Sequence, residues 1–328
     1  MQDMFHRGRR LRINSTMRDM VRQTSPLLYE DLIMPYFVVE ADGLVEKEIH
    51  SMPNQYQLSL KALEKKVVKA VDLGLKSVLL FGIPKKKDVK ASQAYAKNGI
   101  VQKAVALLKK KCPELIIITD VCLCEYMSHG HCGILTEKGE VLNDETLPLL
   151  VKAAQSHAEA GADMVAPSDM MDGRVKAIRN GLDAKGFLNL PILSYAVKYA
   201  SAYYGPFRDA AESAPASGDR KSYQMDIGNG REAIIEAMAD ISEGADALIV
   251  KPAGPYADIL HRVYESCNVP IFAYQVSGEY SMIKAAGQNN WINEERVIIE
   301  SLIGLKRAGA NCIISYFTEE LLQKGILR

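Results

Sequence analysis

The segment EGADALIVK, residues 243–251, is one of four copies of a short pattern that decides the fold. In each copy a small or acidic residue and a glycine are followed by one or two short residues and then by an apolar run. The other copies are LGLKSVLLFG (73–82), AGADMVAPS (160–168) and AGANCIISY (308–316). A glycine after a helical pattern is typical of a left-handed C-cap, and the apolar run is too short for a buried helix. Each copy therefore predicts the end of a helix followed by a buried parallel strand.

Four more apolar runs extend this pattern over the chain: LIMPYFVVE (32–40), LIIITDVC (115–122), PILSYAVK (191–198) and PIFAYQVS (270–277). Together they give eight predicted strands, each followed by enough residues for a helix. The amphipathic helices predicted between them are Leu58–Leu73, Gly99–Lys111, Leu147–Ala160, Arg231–Glu243 and Glu294–Ala308. Eight alternating units favour an α/β fold of the (β/α)8 TIM-barrel type over an open sheet, because no glycine-rich dinucleotide motif follows an early strand. We expect one barrel domain over 31–328.

The composition excludes several classes of partner. The 328 residues contain 40 Lys+Arg and 40 Asp+Glu, so no net charge indicates binding to nucleic acid or to a membrane surface. No apolar segment approaches the roughly 18 residues of a membrane span, and the first 30 residues lack a secretory signal pattern. We therefore expect a cytoplasmic protein with reduced thiols, whose clustered cysteines are better suited to metal than to disulfides.

Two lysines close predicted strands, Lys198 at the end of PILSYAVK and Lys251 at the end of EGADALIVK. A lysine in this position is most often a charge that leaves the core for solvent. In a barrel, however, neighbouring strands lie about 4.8 Å apart and chemistry occurs at their carboxyl ends. Burial and mutual repulsion would lower a lysine pKa from about 10.4 and produce a neutral amine that can attack a ketone. The pair suggests Schiff-base chemistry on two carbonyl substrates.

Half of the six cysteines fall in DVCLCEYMSHGHCGIL, residues 120–135. Cys122, Cys124 and Cys132 offer three thiolates, and a closed structural zinc site normally has four ligands. Three ligands with an open position resemble a catalytic zinc site, although His129 or His131 could complete a closed one. A histidine-based metal hydrolase is disfavoured, because the first predicted strand ends in VVEADG without a histidine.

A long segment rich in Ala, Ser, Gly and Pro follows Lys198, and about 203–226 has the composition of a mobile lid. Its two arginines suggest a carboxylate substrate, since arginine binds carboxylates through two parallel hydrogen bonds. Read alone, an ordinary solvated loop explains it equally well. Candidate binding residues in the lid are Phe207, Arg208, Arg220 and Gln224.

These residues resemble those of the porphobilinogen synthase (5-aminolevulinate dehydratase) family, and the similarity extends over essentially the whole chain. The motifs that carry it are RLRINSTMRDMVRQT (10–24), DVCLCEYMSHGHCGIL (120–135), APSDMMDGRV (166–175), SYAVKYASAYYGPFRDAA (194–211), IVKPAGPY (249–256), YQVSGEYSMI (274–283) and KGILR (324–328). The resemblance implies a lyase that condenses two 5-aminolevulinate molecules to porphobilinogen with loss of two waters. That reaction is an early step of heme and other tetrapyrrole biosynthesis.

The resemblance also assigns roles at matching positions. It implies that Lys251 is the principal Schiff-base lysine and that Lys198 binds the second substrate. The three cysteines match the zinc ligands of the family's zinc-dependent branch. The implied substrate-binding residues are Asp120 and Ser168 near the first amino group, Ser277 and Tyr316 at the first carboxylate, and Phe207, Arg208, Arg220 and Gln224 in the lid.

Three implications concern regulation and assembly. Glu236 matches a glutamate that binds an allosteric magnesium in some bacterial relatives, although alone it is an ordinary polar residue of a helix. Ser222 stands where some animal relatives have a cysteine for a second zinc, so we expect no such site. The arginine-rich residues 1–30 resemble an arm that wraps a neighbouring subunit in a homo-octamer; a disordered basic tail is the alternative. Alternative functions are a metal-free Schiff-base aldolase and a zinc-stabilised binding barrel.

Overall fold

The fold is taken from a computed structural model, which describes residues 7–327. The first six residues of the predicted arm, and residue 328, lie outside the described residues. The strands, in chain order, are β1 Leu32–Val39, β2 Glu46–Glu48, β3 Tyr56–Leu58, β4 Ser77–Ile83, β5 Ile116–Val121, β6 Ile134–Leu135, β7 Val141–Leu142, β8 Met164–Pro167, β9 Leu193–Lys198, β10 Ala247–Lys251, β11 Ile271–Gln275 and β12 Cys312–Ser315.

The helices surround these strands. They are α1 Ser15–Met20, α2 Leu60–Asp72, α3 Ile100–Lys111, α4 Asn143–Glu159, α5 Arg174–Ala184, α6 Gly205–Ala210, α7 Glu232–Glu243, α8 Ala257–Ser266, α9 Ser277–Gln288, α10 Glu294–Arg307 and α11 Thr318–Gln323. Short 3-10 helices occur at Gly8–Arg12, Tyr29–Asp31, Ser92–Ala94 and Ala202–Tyr204.

Eight of the strands form a parallel barrel. Their order is β8-β5-β4-β1-β12-β11-β10-β9, which is the order of the chain read around a ring. A parallel bridge between Val165 in β8 and Ile192, next to β9, brings the two ends of this sheet together. All eight predicted strands and all five predicted helices are present, with shifts of a few residues at their ends. The predicted (β/α)8 barrel is confirmed.

The glycines of the repeated pattern have the predicted conformation. Gly74, Gly161, Gly244 and Gly309 all have positive φ, between 98° and 116°. A residue with a Cβ is strained in this region, whereas glycine is not. Each glycine therefore ends one helix and turns the chain into the next strand, as the sequence pattern indicates.

The barrel wall is buried on both sides. Every residue of β4, β9, β10 and β11 is buried, because helices cover the outside and side chains fill the inside. Tyr195 on β9 and Tyr274 on β11 project rings whose centroids are 6.3 Å apart. Buried aromatic side chains therefore stand beside the strand-end residues described below.

The amino-terminal segment has the opposite character. Neither Gly8–Arg12 nor α1 contains a buried residue. Ser25 contacts the barrel domain, where its hydroxyl accepts a hydrogen bond of 3.0 Å from Lys306. The predicted boundary between the amino-terminal arm and the barrel, at residue 30, stays a prediction. No helix within residues 7–327 combines the length and the apolar character needed to cross a membrane.

Candidate active site

The two strand-end lysines are neighbours. Lys198 closes β9 and Lys251 closes β10, and the two residues are directly paired in the register of these adjacent strands. Both side chains are buried, with 5% and 4% of their surface exposed. The simple alternative, a charge leaving the core for solvent, is therefore wrong for this pair. The peptide bond between Lys251 and Pro252 is cis.

The surroundings of Lys251 favour a neutral amine. Burial, followed by the charge of Lys198, lowers its pKa to about 7, whereas nearby Asp120 raises it. Near neutral pH a large fraction of this amine is unprotonated and able to act as a nucleophile. Lys198 donates a hydrogen bond to the backbone carbonyl of Ser168, at the end of the neighbouring strand β8.

The three clustered cysteines converge as the spacing indicates. The sulfur atoms of Cys122, Cys124 and Cys132 all lie within 4.8 Å of one another, and all three side chains are buried. Hydrogen bonds from Cys122 and then Cys124 hold the pKa of the Cys132 thiol well below its usual value. Three converging sulfur donors, one of them readily ionised, suit zinc or another soft metal ion. Among the described residues, neither His129 nor His131 belongs to this group as a fourth ligand.

Those histidines belong to the lid contacts instead. The ring of His131 makes hydrogen bonds of 3.1 Å with the hydroxyl of Tyr223 and 2.9 Å with the carbonyl of Ser217. His129 accepts a hydrogen bond from the backbone N–H of His131. The alternative of a zinc site closed by a histidine therefore has no geometric support.

Two buried carboxyl groups adjoin the cysteines. Burial, then the neighbouring Glu125, raises the pKa of Asp120 to about 8. Asp120, Cys122 and Glu125 also form a second group of possible metal ligands. Glu125 was missed by the sequence analysis. A carboxylate one residue after the Cys-x-Cys pair was the available signal, but its burial could not be read from the chain.

The lid packs over this end of the barrel. Phe207, on α6, is buried, and its backbone N–H donates a 2.9 Å hydrogen bond to the hydroxyl of Ser277. Arg220 is buried and donates to the carbonyls of Gly130 (2.8 Å) and Ser213 (2.5 Å). The Nε atoms of Arg208 and Arg220 are buried and have no hydrogen-bond partner in the described protein. Donors of this kind are available to an anionic ligand.

The predicted residues do not all line one cavity. A narrow cavity at the barrel mouth is lined by Phe81, Cys124, Glu125, Ser168, Lys198, Tyr204, Phe207, Arg208, Arg220 and Lys251. Tyr316 is not part of this lining; it lines another pocket with Gln55 and Tyr280, and its hydroxyl is 3.0 Å from that of Tyr274. The buried side-chain amide nitrogen of Gln224 lacks a partner within the described protein. Phe81 and Tyr274 were missed because single aromatics in apolar strands are indistinguishable from core residues, and Tyr204 was missed although it lies in the predicted lid.

Glu236 lies outside the barrel mouth. It is half-buried on α7 and lines a separate cavity of about 880 Å³ together with Asp172, Ser222 and Gln224. Burial, despite the opposing charge of Arg174, raises its pKa above the usual value. Gln224 is thus the candidate binding residue that connects this cavity with the lid.

The comparison with known sequences identifies the family. Residues 5–324 match the profile of "Delta-aminolevulinic acid dehydratase". The chain belongs to the delta-aminolevulinic acid dehydratase family. A family member from Staphylococcus aureus (strain Mu50 / ATCC 700699) is 54% identical over 318 residues, which cover 97% of this chain and 98% of that protein. Another from Staphylococcus aureus is 55% identical over 313 residues, covering 95% and 96%.

A solved structure of the family has the same fold. The delta-aminolevulinic acid dehydratase (porphobilinogen synthase) of Toxoplasma gondii ME49, in complex with the reaction product porphobilinogen, aligns with a TM-score of 0.95 and 43% identity. The alignment covers 98% of this chain and 92% of that chain. The family predicted from the motifs is therefore confirmed, and so is the enzyme class, a hydro-lyase of porphyrin biosynthesis.

Proposed function

We propose that the cavity at the barrel mouth condenses two molecules of 5-aminolevulinate to porphobilinogen with loss of two waters, through Schiff bases on Lys251 and Lys198. The observation that carries this proposal is the pairing of two buried lysines in register on adjacent strands, one of them with a pKa of about 7. Schiff-base catalysis needs a neutral amine close to the carbonyl group of the substrate.

Lys251 binds the first substrate. Its amine nitrogen forms a bond with the ketone carbon, and the adduct takes up one proton and releases the ketone oxygen as water. The product is a positively charged iminium, which acidifies the adjacent carbon so that this carbon can form a new bond. Lys198, already buried one strand away, is placed to hold the second ketone within reach of the first.

The charged groups of the substrates match donors around the cavity. Arg208 and Arg220 supply guanidinium groups with unpartnered Nε atoms for the second carboxylate, assisted by Gln224. Ser277 and Tyr316 serve the first carboxylate, with Phe207 packed against the substrate. We assign the carboxyl group of Asp120 and the hydroxyl of Ser168 to the first amino group. An ammonium group is well placed beside a carboxylate in a buried site.

The cysteine cluster is the proposed zinc site. Three buried sulfur atoms within 4.8 Å of one another form the ligand set of a site that keeps one position open. Cys122, Cys124 and Cys132 would hold the ion, and when bound it would supply Lewis acidity beside the second carbonyl. Arg220 offsets the thiolate charge, because thiolates lie among the groups that stabilise its guanidinium.

Regulation and assembly follow the family expectation. Glu236 is the proposed ligand of an allosteric magnesium ion, in the separate cavity that it lines with Asp172 and Asp226. The exposed amino-terminal segment is proposed as a subunit arm of a homo-octamer, and the enzyme as cytoplasmic. Activity with and without added Mg²⁺ tests the first point: Glu236→Ala is expected to lose the response, and an unchanged response removes Glu236 from the site.

The proposal is tested by trapping the Schiff base. Wild-type enzyme is incubated with 5-aminolevulinate and borohydride, then digested and analysed by mass spectrometry. The adduct is expected on the peptide that contains Lys251, while the peptide of Lys284, another buried lysine, stays unlabelled. No adduct on Lys251, or labelling at any lysine other than Lys251 and Lys198, contradicts the assignment. If activity survives treatment with a chelator, a metal-free aldolase is favoured. If the protein forms no porphobilinogen and unfolds when the chelator removes its metal, a zinc-stabilised binding barrel is favoured.

A further inference from the structure

Four aromatic rings surround the amine of Lys251. Its Nζ lies 4.5 Å from the ring centroid of Tyr274, 4.8 Å from that of Phe207, and 5.2 Å from those of Tyr195 and Tyr204. All four distances are within the roughly 6 Å over which a ring face attracts a cation. We call these four side chains the aromatic cage. They come from β9, β11 and the lid, so the cage is assembled only by the folded chain.

A second buried lysine, Lys284, has the ion pairs that Lys251 lacks. Lys284 also lies near two rings, but it forms ion pairs with Glu294 (2.6 Å) and Glu320. Although burial opposes its charge, those carboxylates raise the pKa of Lys284 above the usual value. Across residues 7–327, Lys251 has neither an ion pair nor a side-chain hydrogen bond at Nζ. The cage is thus the environment that this amine contacts most closely.

The cage treats the two cationic forms of this nitrogen differently. An ammonium group carries three N–H donors, and in the described protein none of them makes a hydrogen bond, although Asp120 and Glu125 lie near enough to attract its charge. A protonated Schiff base carries one N–H and spreads its charge onto carbon. Ring faces attract either cation without directional hydrogen bonds, so the smaller desolvation cost of the iminium decides the balance.

From this arrangement we infer that the aromatic cage selectively stabilises the iminium cation formed at Lys251. The inference rests on the proposed function, because it requires a Schiff base at Lys251. In that step, the amine, the ketone and one proton give one iminium and one water. The ring faces then attract the cation, in addition to the charges of Asp120 and Glu125, until the iminium is consumed.

Two members of the cage also connect it to neighbouring groups. The hydroxyl of Tyr274 is hydrogen-bonded to that of Tyr316, which fixes the orientation of the closest ring. Phe207 belongs to the lid and is held through its backbone N–H by Ser277. Tyr204 also belongs to the lid, directly before α6, so lid packing and iminium stability are coupled through two rings.

The experiment measures the pH dependence of the borohydride adduct at Lys251, since borohydride reduces the protonated Schiff base. In Tyr274→Leu, which loses the ring, the adduct at limiting substrate is expected to fall about 5- to 30-fold, the value of one buried cation–π contact. The upper pH limit of trapping is expected to move down, because the iminium loses its proton more easily. Tyr274→Phe keeps the ring and should restore most of both effects.

Two further variants complete the design. Phe207→Leu removes a ring from the lid rather than from the barrel wall, so it tests the cage even where Tyr274→Leu does not fold. Phe187→Leu is the matched control, because Phe187 precedes β9 and lies at the opposite end of the barrel; its trapping profile should equal that of the wild type. A purely structural loss would lower the amount of active protein without moving the pH limit.

The outcomes separate the two proposals. Absence of any adduct in the wild-type enzyme overturns the Schiff-base function itself. An adduct in the wild type with an unchanged pH limit in both Tyr274→Leu and Phe207→Leu leaves that function intact and overturns the cage. Equal losses in Tyr274→Phe and Tyr274→Leu also overturn it, since the hydroxyl rather than the ring would then be responsible.

Discussion

Lys198 and Lys251 are paired residue to residue on adjacent parallel strands, so two buried amines leave the barrel at the same height. The pairing follows from the repeated strand pattern, in which a lysine closes each of two consecutive strands. It also means that each lysine sets part of the electrostatic environment of the other, because their separation is comparable to the distance between neighbouring strands.

Removing the charge of Lys198 should raise the pKa of Lys251. Lys198 is the second-largest cause, after burial, of the lowering of that pKa to about 7. In Lys198→Met, a smaller fraction of Lys251 is neutral at pH 7, and the lower pH limit of borohydride trapping should move toward higher pH. Trapping is measured rather than turnover, because Lys198 is itself proposed to bind substrate. Lys221→Met removes an exposed lid lysine and should leave the limit in place.

Loss of one clustered cysteine should abolish zinc binding at the proposed site. Cys132→Ala is expected to lower zinc affinity by at least about 100-fold, since even groups behind the ligands are worth 10- to 100-fold. Metal content is measured on the purified protein together with porphobilinogen formation and circular dichroism. The protein should stay folded but inactive. Cys112→Ser, at an isolated buried cysteine, is the control. Full zinc content in Cys132→Ala would refute the assignment.

Much of the fold was predictable because it depends on short-range sequence patterns. The apolar run and the polar strand end are local features, with a glycine before four of the runs, and together they predicted all eight strands of the barrel. The approach of Lys198 to Lys251 followed from them, since consecutive strands of a barrel are neighbours. The convergence of Cys132 on the Cys122–Cys124 pair was also indicated, by spacing alone.

The remaining parts of the site depend on contacts distant in sequence. Tyr195, Tyr204, Phe207 and Tyr274 surround one nitrogen atom, yet they are spread over about eighty residues of chain. Phe207 and Tyr204 lie in the predicted lid, but nothing in the sequence distinguishes Tyr195 and Tyr274 from core side chains. The burial of Glu125 was hidden for the same reason. The role of His131 also required the structure, because its partners lie in the lid.

A methyl group at Gly278 should displace the lid. A Cβ there would lie 2.5 Å from the carbonyl oxygen and 2.9 Å from the Cα of Tyr203, which are backbone atoms that cannot rotate away. We expect Gly278→Ala to cost about 1–3 kcal/mol in lid packing, to raise KM and to speed proteolysis within 203–226. Gly205→Ala is the matched control in the lid, because nothing lies within 4 Å of its added Cβ. Identical KM values and cleavage rates would contradict the prediction.

Removing only Arg174 from its buried pair with Asp240 should destabilise the protein more than replacing both residues by apolar ones. Arg174 donates to Asp240 (2.8 Å), to the Ser194 hydroxyl (3.0 Å) and to the Tyr195 carbonyl (3.2 Å), which joins α5 and α7 to β9. Arg174→Met leaves a buried carboxylate and is expected to cost about 3–5 kcal/mol in the free energy of unfolding. The double variant Arg174→Met/Asp240→Leu should recover part of that loss in urea denaturation. Purely additive losses would show that the two groups do not interact.

His157 should make the fold sensitive to mild acid. Its ring is buried and bonded to the Thr119 hydroxyl (3.0 Å), and burial lowers its pKa to about 4. In the unfolded chain a histidine has a pKa of about 6.5, so below that pH the unfolded state binds a proton that the folded state refuses. Stability is therefore lost as pH falls from about 6.5 toward 4, by up to about 3 kcal/mol.

Because buried carboxyl groups titrate in the same pH range, the test compares the stability of wild type and His157→Gln in urea at pH 7.5, 6 and 5. The variant should lose less stability on acidification, while His50→Gln, at an exposed histidine, should follow the wild type. Parallel pH dependences for wild type and His157→Gln would show that His157 is protonated as easily in the folded as in the unfolded chain.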